Sequence, residues 1–491
     1  MSSRTMLALF VSYVLFAIIT LGACKQPTPE QQILEDVSAA LGGRARIEAV
    51  TTLSIEGEGV MGNLGQDMTP DATSQTFAIS DYIRVANLTT GRMRVERTRT
   101  PDFNYFRGPD PIKQVFGIDG DVAYDVRPDG SAARATDATA STRRTAYYHD
   151  PLTLVRAAWD PSATTANART TDGESLLDIT TADGLAFTLA IDAATKLPSY
   201  VTSRLNHPNL RDVSQRTSFA DYEDVNGLML PTSVIVSTDD YQIIELRMTA
   251  QSVDGDVGDL AAPDAATSAT PVSGPPPANV TAEEVADGVW FLAGESHHSV
   301  LVELSDHLML IEAPNEVRTA AVIAKARELV PDKPLTHLVN THHHFDHSGG
   351  IRAAVSEGLV IITHAANASF YQELAVRTST IAPDALAQNP QSLTLETVED
   401  EMTHEDDSMT VELYHIADNP HAGSLLMAYL PRQRLLVQAD AFSPGRDFQP
   451  FAANLLANIE RRNLRVDRIL PVHGGVVTYD ELVSAVQLMS N

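Results

Sequence analysis

Four histidines and one aspartate lie within six residues of this chain, in the segment Thr341-His342-His343-His344-Phe345-Asp346-His347-Ser348-Gly349-Gly350. His342 and His344 are two residues apart, so in an extended segment their rings point to the same side. Asp346 and His347 follow where a turn aims them at a second, adjacent ion, and the two glycines then allow a helix over 349–357. The spacing predicts a metal centre; a histidine-rich surface loop that binds metal only incidentally is the alternative.

Two further histidines and one aspartate lie downstream, each at or after the end of a strand-like apolar run. They are His421 in Asn419-Pro420-His421-Ala422-Gly423-Ser424, Asp440 at the end of Leu435-Leu436-Val437-Gln438-Ala439-Asp440, and His473 in Leu470-Pro471-Val472-His473-Gly474-Gly475. A rigid sheet can hold a polar side chain at its mouth.

Alternating strands and helices are predicted to position these ligands. Glu316–Val330 has a helical pattern that Pro331 ends, and His337–Asn340 is a buried strand that leads into the histidine segment. The other predicted strands are Val285–Leu292, Ser299–Leu304, Leu308–Glu312, Leu359–Thr363, Val411–Ile416, Leu425–Leu430 and Leu435–Ala439.

The pattern His342-x-His344-x-Asp346-His347 resembles the signature of the metallo-β-lactamase-fold hydrolases, and the later motifs follow in the order of that superfamily. The resemblance covers roughly 280–491 and implies an αββα sandwich, with two sheets back to back and the site along one edge. It implies a ligand set of His342, His344 and His421 on one ion, Asp346, His347 and His473 on the other, and Asp440 between them.

The chemistry that this resemblance implies is hydrolysis. All seven ligands are nitrogen or oxygen donors, which favours two zinc ions and also suits manganese or iron. Two such ions would ionise a shared water to hydroxide, and Asp346 is predicted to orient it as a catalytic residue. The expected substrate is a small molecule with an ester, lactone, amide or phosphoester bond.

Two other functions remain open from the sequence. A metallo-β-lactamase is the first. Against it, Asp440 stands where many zinc lactamases carry cysteine or serine. An aspartate between the two ions is similar to the arrangement in thioesterases, lactonases and phosphodiesterases of the superfamily. The second is a lipid- or ligand-binding envelope lipoprotein without enzymatic activity. An intact set of ligands favours the hydrolase, because unpaired buried imidazoles and carboxylates destabilise a fold.

His343 is predicted to support the ligands or the fold rather than to act in catalysis. His343 lies between two ligands, and His297-His298 is either a substrate contact or a polar loop. No role is assigned to His337, His364, His404 and His415.

Two segments depart from the resemblance, and the acidic runs nearby are predicted to be loops. Glu312-Ala313-Pro314 stands where relatives carry an aspartate, and Asp418-Asn419-Pro420 precedes His421, so hydrogen bonding and loop path are expected to differ there. The acidic runs within 399–407 are predicted to form a solvated loop.

The start of the chain is typical of a bacterial export signal, with Arg4 before an apolar run over 6–23. Leu21-Gly22-Ala23-Cys24 resembles a lipobox, and Cys24 is the only cysteine. We therefore expect a lipoprotein-type signal peptide over 1–24, lipidation of Cys24, and an anchor in the outer membrane facing the periplasm, for which Lys25 is typical. A plain secretory signal or an uncleaved membrane anchor is the alternative.

Length and charge indicate the number of domains and exclude one class of partner. A chain of 491 residues is too long for one ordinary core, so two folded domains are expected. The 35 basic and 64 acidic residues give a net charge of −29, which argues against nucleic acid as a partner.

The N-terminal region, 25–260, is predicted to be an antiparallel β domain. A helix is expected over Glu30–Leu41, and turn pairs such as Asn226-Gly227 separate alternating strands. Phe219-x-Asp221-Tyr222 with Gly227-Leu228-x-Leu230-Pro231 is similar to the late strands of periplasmic lipoprotein carriers, which implies a half-barrel around a helix. A linker rich in Pro, Ala, Ser and Thr is expected over 261–279, followed by the metal-binding domain over 280–491.

Overall fold

The computed structural model describes residues 26–73, 76–103, 108 and 110–489. The expected signal peptide and Cys24 lie outside the described residues. Within the part of the chain that the structure describes, no helix combines the length and apolar character needed to span a membrane.

The N-terminal region forms one large antiparallel sheet, which confirms the expected β-rich fold class. Across the sheet the strands run in the order β6-β5-β4-β3-β2-β1-β13-β12-β11-β10-β9-β8-β7, so β6 and β7 are free edges and the sheet is open. The strands are β1 (Thr52–Gly62), β2 (Thr76–Asn87), β3 (Arg92–Pro101), β4 (Ile112–Asp119), β5 (Val122–Val126), β6 (Ala132–Arg134), β7 (Thr164–Thr171), β8 (Glu174–Thr180), β9 (Ala186–Asp192), β10 (Pro198–His207), β11 (Arg211–Val225), β12 (Leu228–Thr238) and β13 (Tyr241–Val253).

Four helices pack in the core of this sheet: α1 (Pro29–Ala40), α2 (Arg44–Ala49), α3 (Asp137–Tyr148) and α4 (Pro151–Ala158). Thr28 caps α1 through a capping box with Gln31, so the helix begins one residue earlier than predicted. Its buried face contains Leu34 and Val37, and Ile33 packs against the same cluster while partly exposed.

The large sheet curves around α3 and α4. Five strand spacings separate β3 from β11, which in a flat sheet would be about 24 Å. Val95 of β3 and Phe219 of β11 nevertheless line the same cavity as Ala146 of α3. An open sheet with this curvature has the form expected of a half-barrel around a helix.

The segment predicted as a linker packs against the sheet, unlike an extended spacer. A short helix, α5 (Asp264–Thr267), places Ala266 beside Ala262 and Tyr124 in a small buried cluster. Asp137 also donates its backbone N–H to the carbonyl of Val272. Small side chains allow this close approach, although they form little core.

The C-terminal region has two sheets back to back with helices outside, which confirms the expected αββα class. The first sheet contains β14 (Thr281–Ala286), β15 (Val289–Ala293), β16 (Ser299–Glu303), β17 (Leu308–Ile311), β18 (Leu335–Val339), β19 (Val360–His364) and β20 (Thr394–Val398). The second contains β21 (Glu401–Glu405), β22 (Thr410–His415), β23 (Leu426–Leu430), β24 (Leu435–Gln438), β25 (Arg468–Pro471) and β26 (Val477–Thr478).

The helices cover the outer faces of the two sheets, and separate apolar clusters fill each layer. Val300 and Leu413 meet between the sheets, whereas Val322 packs outside the first sheet and Leu455 outside the second. The helices are α6 (Glu316–Leu329), α7 (Phe345–Ser348), α8 (Ile351–Ser356), α9 (Ala368–Val376), α10 (Ala385–Gln388), α11 (Ala452–Arg461) and α12 (Tyr479–Met489).

Two of the predicted elements were wrong in detail. The strand predicted over Val285–Leu292 is a hairpin, because Asp287 and Gly288 form a turn in which Gly288 has a positive φ of 70°. The acidic runs predicted as a loop contain β21, whose alternate residues face the sandwich core while its acidic side chains stay exposed.

Candidate metal centre

The histidine segment begins where β18 ends at the edge of the first sheet. His342 and His344 lie in an extended, fully buried stretch, and α7 then carries Asp346 and His347. The glycine after this helix is sterically required, since a Cβ on Gly350 would lie 1.8 Å from Thr319 Oγ1. The chain can therefore turn back against α6 only without a side chain at that position.

The other predicted ligands come from the second sheet. His421 lies in the loop between β22 and β23, while Asp440 and His473 each follow the end of a strand. Those strands, β24 and β25, are parallel neighbours, so the residues after them emerge at the same edge of the sheet.

The structure brings all seven predicted ligands together in two adjacent groups. Within each group the candidate ligand atoms lie within 4.8 Å of one another. One group contains His342, His344, His421 and Asp440, and the other contains Asp346, His347, His473 and His297.

Asp440 faces both groups. Its Oδ2 lies 2.7 Å from His421 Nε2 and 3.9 Å from His342 Nε2. Its Oδ1 lies 2.8 Å from His473 Nε2 and 3.3 Å from His347 Nε2. A carboxylate placed in this way can bridge two cations, one on each oxygen.

Hydrogen bonds on the outer nitrogens orient three of the ligand rings. His342 Nδ1 lies 3.0 Å from Thr341 Oγ1, and His473 Nδ1 lies 2.8 Å from the carbonyl oxygen of Ser296, so each ring directs Nε2 inward. His344 is reversed, because its Nε2 donates to the Asp67 carbonyl at 2.8 Å and Nδ1 faces the group. Such partners set the tautomer of a metal-binding histidine.

The inward-facing nitrogens fit a metal ion. His342 Nε2 and His344 Nδ1 are buried and make no hydrogen bond to any residue that the structure describes. An unpaired polar atom in the interior carries a desolvation cost of roughly 1–3 kcal/mol, and a bound cation would offset it. The residues present therefore suit divalent metal ions.

The electrostatics keep most of these groups in the states that bind cations. Burial lowers the pKa of His342 and His344 well below the ordinary value, so both imidazoles are neutral. Burial opposes the ionisation of Asp440, but His347 and His421 hold its pKa well below the usual range. The first group thus offers the neutral imidazoles of His342 and His344 and the ionised carboxylate of Asp440.

His347 is the exception. Burial opposes its charge, yet Asp440, Asp346 and Glu312 together raise its pKa well above the ordinary value. A proton on this ring balances the carboxylates, and a metal ion would take its place, because only a deprotonated ring nitrogen binds metal.

Glu312 supports the site despite its difference from the family pattern. Its Oε2 accepts a 2.6 Å hydrogen bond from Thr341 Oγ1 and lies 3.3 Å from His347 Nδ1, and the carboxylate is fully buried. The backbone of Glu312 has a positive φ of 85°. The longer side chain therefore still reaches the ligand ring.

A positive backbone φ and side-chain hydrogen bonds shape the loop before His421. Asp418 has a positive φ of 56°, and Asn419 Oδ1 accepts the backbone N–H of His421 at 2.8 Å. Asn419 is in turn held by Asn454 of α11 at 2.9 Å.

Three neighbouring histidines have different positions. His343 lies outside both groups, with Nδ1 3.1 Å from Ser424 Oγ and Nε2 2.9 Å from the Asp67 carbonyl oxygen. His297, which the sequence suggested only as a substrate contact or loop residue, joins the second group with Nε2 3.3 Å from Asp346 Oδ2. His298 packs on Phe291 and accepts the N–H of Gly294, as a structural loop residue does.

A loop of the N-terminal region also reaches this centre. This β1–β2 loop, residues 63–73, places Gln66 Nε2 2.6 Å from Asp346 Oδ1. The Asp67 carbonyl accepts hydrogen bonds from His343 and His344, and the Gly65 carbonyl accepts one from Phe345 N at 3.0 Å. Sequence reasoning missed this loop, because it carries no ligand motif and lies more than 270 residues away in the chain.

Residues 292–473 match the model of the metallo-beta-lactamase superfamily. Among solved structures, a metallo-beta-lactamase from Pontibacter korlensis is 17% identical, covers 43% of this chain and 100% of its own, and has a TM-score of 0.34. Metallo-beta-lactamase FIM-1 from Pseudomonas aeruginosa, in a mono-zinc form, is 18% identical over 44% of this chain and 97% of its own, with a TM-score of 0.33. Rubredoxin oxygen:oxidoreductase from Desulfovibrio gigas is 15% identical over 42% of this chain and 60% of its own, with a TM-score of 0.35. No curated protein matches the chain.

The family match confirms the resemblance of the C-terminal region to the metallo-β-lactamase superfamily. Together with the two groups of histidines and aspartates, it defines this region as a metallo-hydrolase of that superfamily.

Proposed function

We propose that this protein is a metal-dependent hydrolase of the bacterial cell envelope, with two divalent ions and an ester, lactone, amide or phosphoester as its small-molecule substrate. The observation that supports it best is the position of Asp440, whose two oxygens face different groups of histidines. We favour zinc because the donors are imidazoles and carboxylates, a set that also suits manganese or iron. When bound, such ions acidify water and neutralise charge on the substrate.

Asp346 is the catalytic residue in this proposal. Gln66 donates to Oδ1, which leaves Oδ2 directed at His297 and His347. Burial opposes its ionisation, but His347 and His297 lower the pKa of Asp346, so the carboxylate stays charged. It can therefore accept a hydrogen bond from a water molecule and orient it.

A substrate panel tests this function. Purified protein with measured metal content would be assayed against esters, lactones, amides and phosphoesters, beside a His342→Ala variant. We expect at least one class to be hydrolysed by the wild type and about a hundredfold more slowly by the variant. No hydrolysis of any class by protein that holds two ions would contradict the proposal.

The envelope location rests on the export signal, the lipobox-like segment and the single Cys24. We propose that lipid on Cys24 anchors the protein to the outer membrane, facing the periplasm. Labelled palmitate should enter the wild type and not a Cys24→Ala variant. Full-length protein without lipid in the membrane fraction would contradict this location.

A β-lactamase remains the alternative activity within the same superfamily. The carboxylate of Asp440 between the two groups is the feature that makes us rank it second. Nitrocefin turnover well above that of the His342→Ala variant would reverse this ranking.

A cavity in the N-terminal sheet favours a second candidate function, the binding of an amphiphile. This cavity has a volume of about 210 Å³, and Leu246 and Val234 are among the many apolar residues that line it. Arg97 also lines it, and burial together with the neighbouring Arg99 lowers the pKa of Arg97 to about 10. Its Nε donates to Gln114, and no carboxylate among the described residues forms an ion pair with it.

An apolar cavity with an unneutralised guanidinium suits a ligand with an acyl chain and an anionic head group. A fluorescent long-chain carboxylate should bind the wild type and bind an Arg97→Gln variant at least tenfold more weakly. A neutral long-chain alcohol would serve as the control ligand, and we expect the variant to bind it as the wild type does. Equal binding of the carboxylate to both proteins would contradict this function.

A further inference from the structure

A second cluster of histidines lies between the two C-terminal sheets, apart from the predicted ligands. His337 is on β18, Glu396 is on β20, and His404 is on β21 of the facing sheet. His307, in the turn between β16 and β17, completes the cluster. His337 comes five residues before His342, which corresponds to roughly 15 Å of extended chain.

These side chains point into the space between the sheets. His337 and Glu396 have the same parity along their strands as Val339 and Val398, which belong to the inter-sheet core. The ring centroid of His337 lies 5.4 Å from that of His404 and 5.1 Å from that of His307. The cluster therefore lies at the margin of the layer between the two sheets.

Several imidazole nitrogens in this cluster lack hydrogen bonds. His404 Nε2 and His307 Nε2 are buried and form none with any described residue, although His404 Nε2 is 3.3 Å from Glu396 Oε2. His337 Nδ1 pairs with Thr336 Oγ1 at 2.7 Å, which leaves its Nε2 for another partner. Desolvated nitrogens without hydrogen bonds are costly in a folded protein, so the arrangement points to a ligand that binds them.

The distances suit a divalent cation. One donor atom each from His337, Glu396 and His404 lies within 4.8 Å of the other two. Tetrahedral ligands at roughly 2.0–2.1 Å from zinc lie about 3.3 Å apart, which is the separation between His404 Nε2 and Glu396 Oε2. Two imidazoles and one carboxylate form a donor set that zinc accepts.

We propose that His337, Glu396 and His404 form a structural zinc site beside His307. Burial lowers the pKa of His337 and His404, so both rings are neutral and available as ligands. Because β18 and β20 belong to one sheet and β21 to the other, the bound ion links the two halves of the sandwich. Binding to the folded state alone would stabilise the domain.

Zinc binding at equilibrium tests this site. The full chain would be dialysed against zinc, and its metal content and Tm would be measured beside a His337→Ala/His404→Ala double variant. We expect the double variant to hold one zinc ion fewer per chain and to lose part of the increase in Tm that zinc gives the wild type. Glu396→Gln keeps the shape of the side chain and should weaken this one site at least tenfold.

His364→Ala/His415→Ala is the matched control. It removes another pair of partly buried histidines, whose ring centroids are 4.4 Å apart, without touching either proposed centre. This control should bind as much zinc as the wild type. The proposal is overturned if the His337→Ala/His404→Ala protein also binds as much, or if the control loses the same ion.

Discussion

At the scale of single residues, the arrangement around the predicted ligands depends on side chains that touch the rings rather than the ions. Glu312 illustrates this, because its carboxylate contacts both Thr341 and His347 from beneath the site. Its negative charge also contributes to the raised pKa of His347. A residue that differs from the family pattern can thus keep the function of orienting a ligand.

We predict that Glu312→Gln weakens metal binding by roughly 10–100-fold, since an amide retains the shape but loses the charge that faces His347 Nδ1. Metal titration of purified protein measures this. Glu303→Gln is the control, because Glu303 pairs with Lys333 at the surface, and that variant should bind metal as the wild type does. Equal affinities in all three proteins would mean that Glu312 does not orient the ligand.

At the scale of elements, the β1–β2 loop joins the two regions at the centre. Gly65 has a positive φ of 78°, and a Cβ there would lie 2.3 Å from the ring of Phe345, which is next to Asp346. The loop can thus place Gln66 beside Asp346 only while residue 65 has no side chain.

Gly65→Ala is therefore expected to push the loop off Phe345 and to lower kcat by roughly tenfold, with metal content unchanged. Gly91→Ala is a matched control, because Gly91 also has a positive φ, of 70°, but nothing lies within 4 Å of its added Cβ. Both variants carry the backbone strain, and only the first carries the clash. If kcat falls equally in both, the loop has no special role at the centre.

The elements also show how far sequence reasoning extends. The ligands after β18, β24 and β25 could be predicted, because each is part of a local motif at the end of an apolar strand. The position of the loop at Gln66 could not be predicted, because it follows from the packing of the N-terminal region against the C-terminal region. His297 was underestimated for the same reason: its ring reaches Asp346 through the fold, and no local spacing signals it.

At the scale of the whole molecule, the hairpin between β10 and β11 docks on the C-terminal region. Leu210 is buried in the apolar cluster outside the first C-terminal sheet, and Asn209 donates to the carbonyl of Phe345 at 2.7 Å. Arg211 pairs with Asp384 at 3.0 Å. The N-terminal sheet and the sandwich thus share a packed contact beside the metal centre.

His207 makes this contact sensitive to pH. Its Nδ1 accepts the backbone N–H groups of Asn209 and Leu210, so the ring must be neutral, and burial lowers its pKa to about 4 from an ordinary value near 6.5. Because the folded-state pKa is the lower one, the stabilisation is complete above pH 6.5 and is lost as the pH falls toward 4.

A His207→Asn variant should lose less stability between pH 7 and pH 4.5 than the wild type, since the amide oxygen can accept the same hydrogen bonds without titrating. Thermal denaturation at both pH values measures the difference. Parallel losses of Tm in the two proteins would show that His207 does not govern the docking.

The central claim is that Asp440 bridges two cations and that this pair supports hydrolysis. The most direct measurement is the metal content and kcat/KM of Asp440→Asn beside Asp418→Asn, an exposed aspartate with a positive φ that asparagine also adopts. We predict that Asp440→Asn loses at least one ion per chain and roughly a hundredfold or more in kcat/KM. Asp418→Asn should keep the metal content and the kcat/KM of the wild type. Full metal content and full activity in Asp440→Asn would contradict the account.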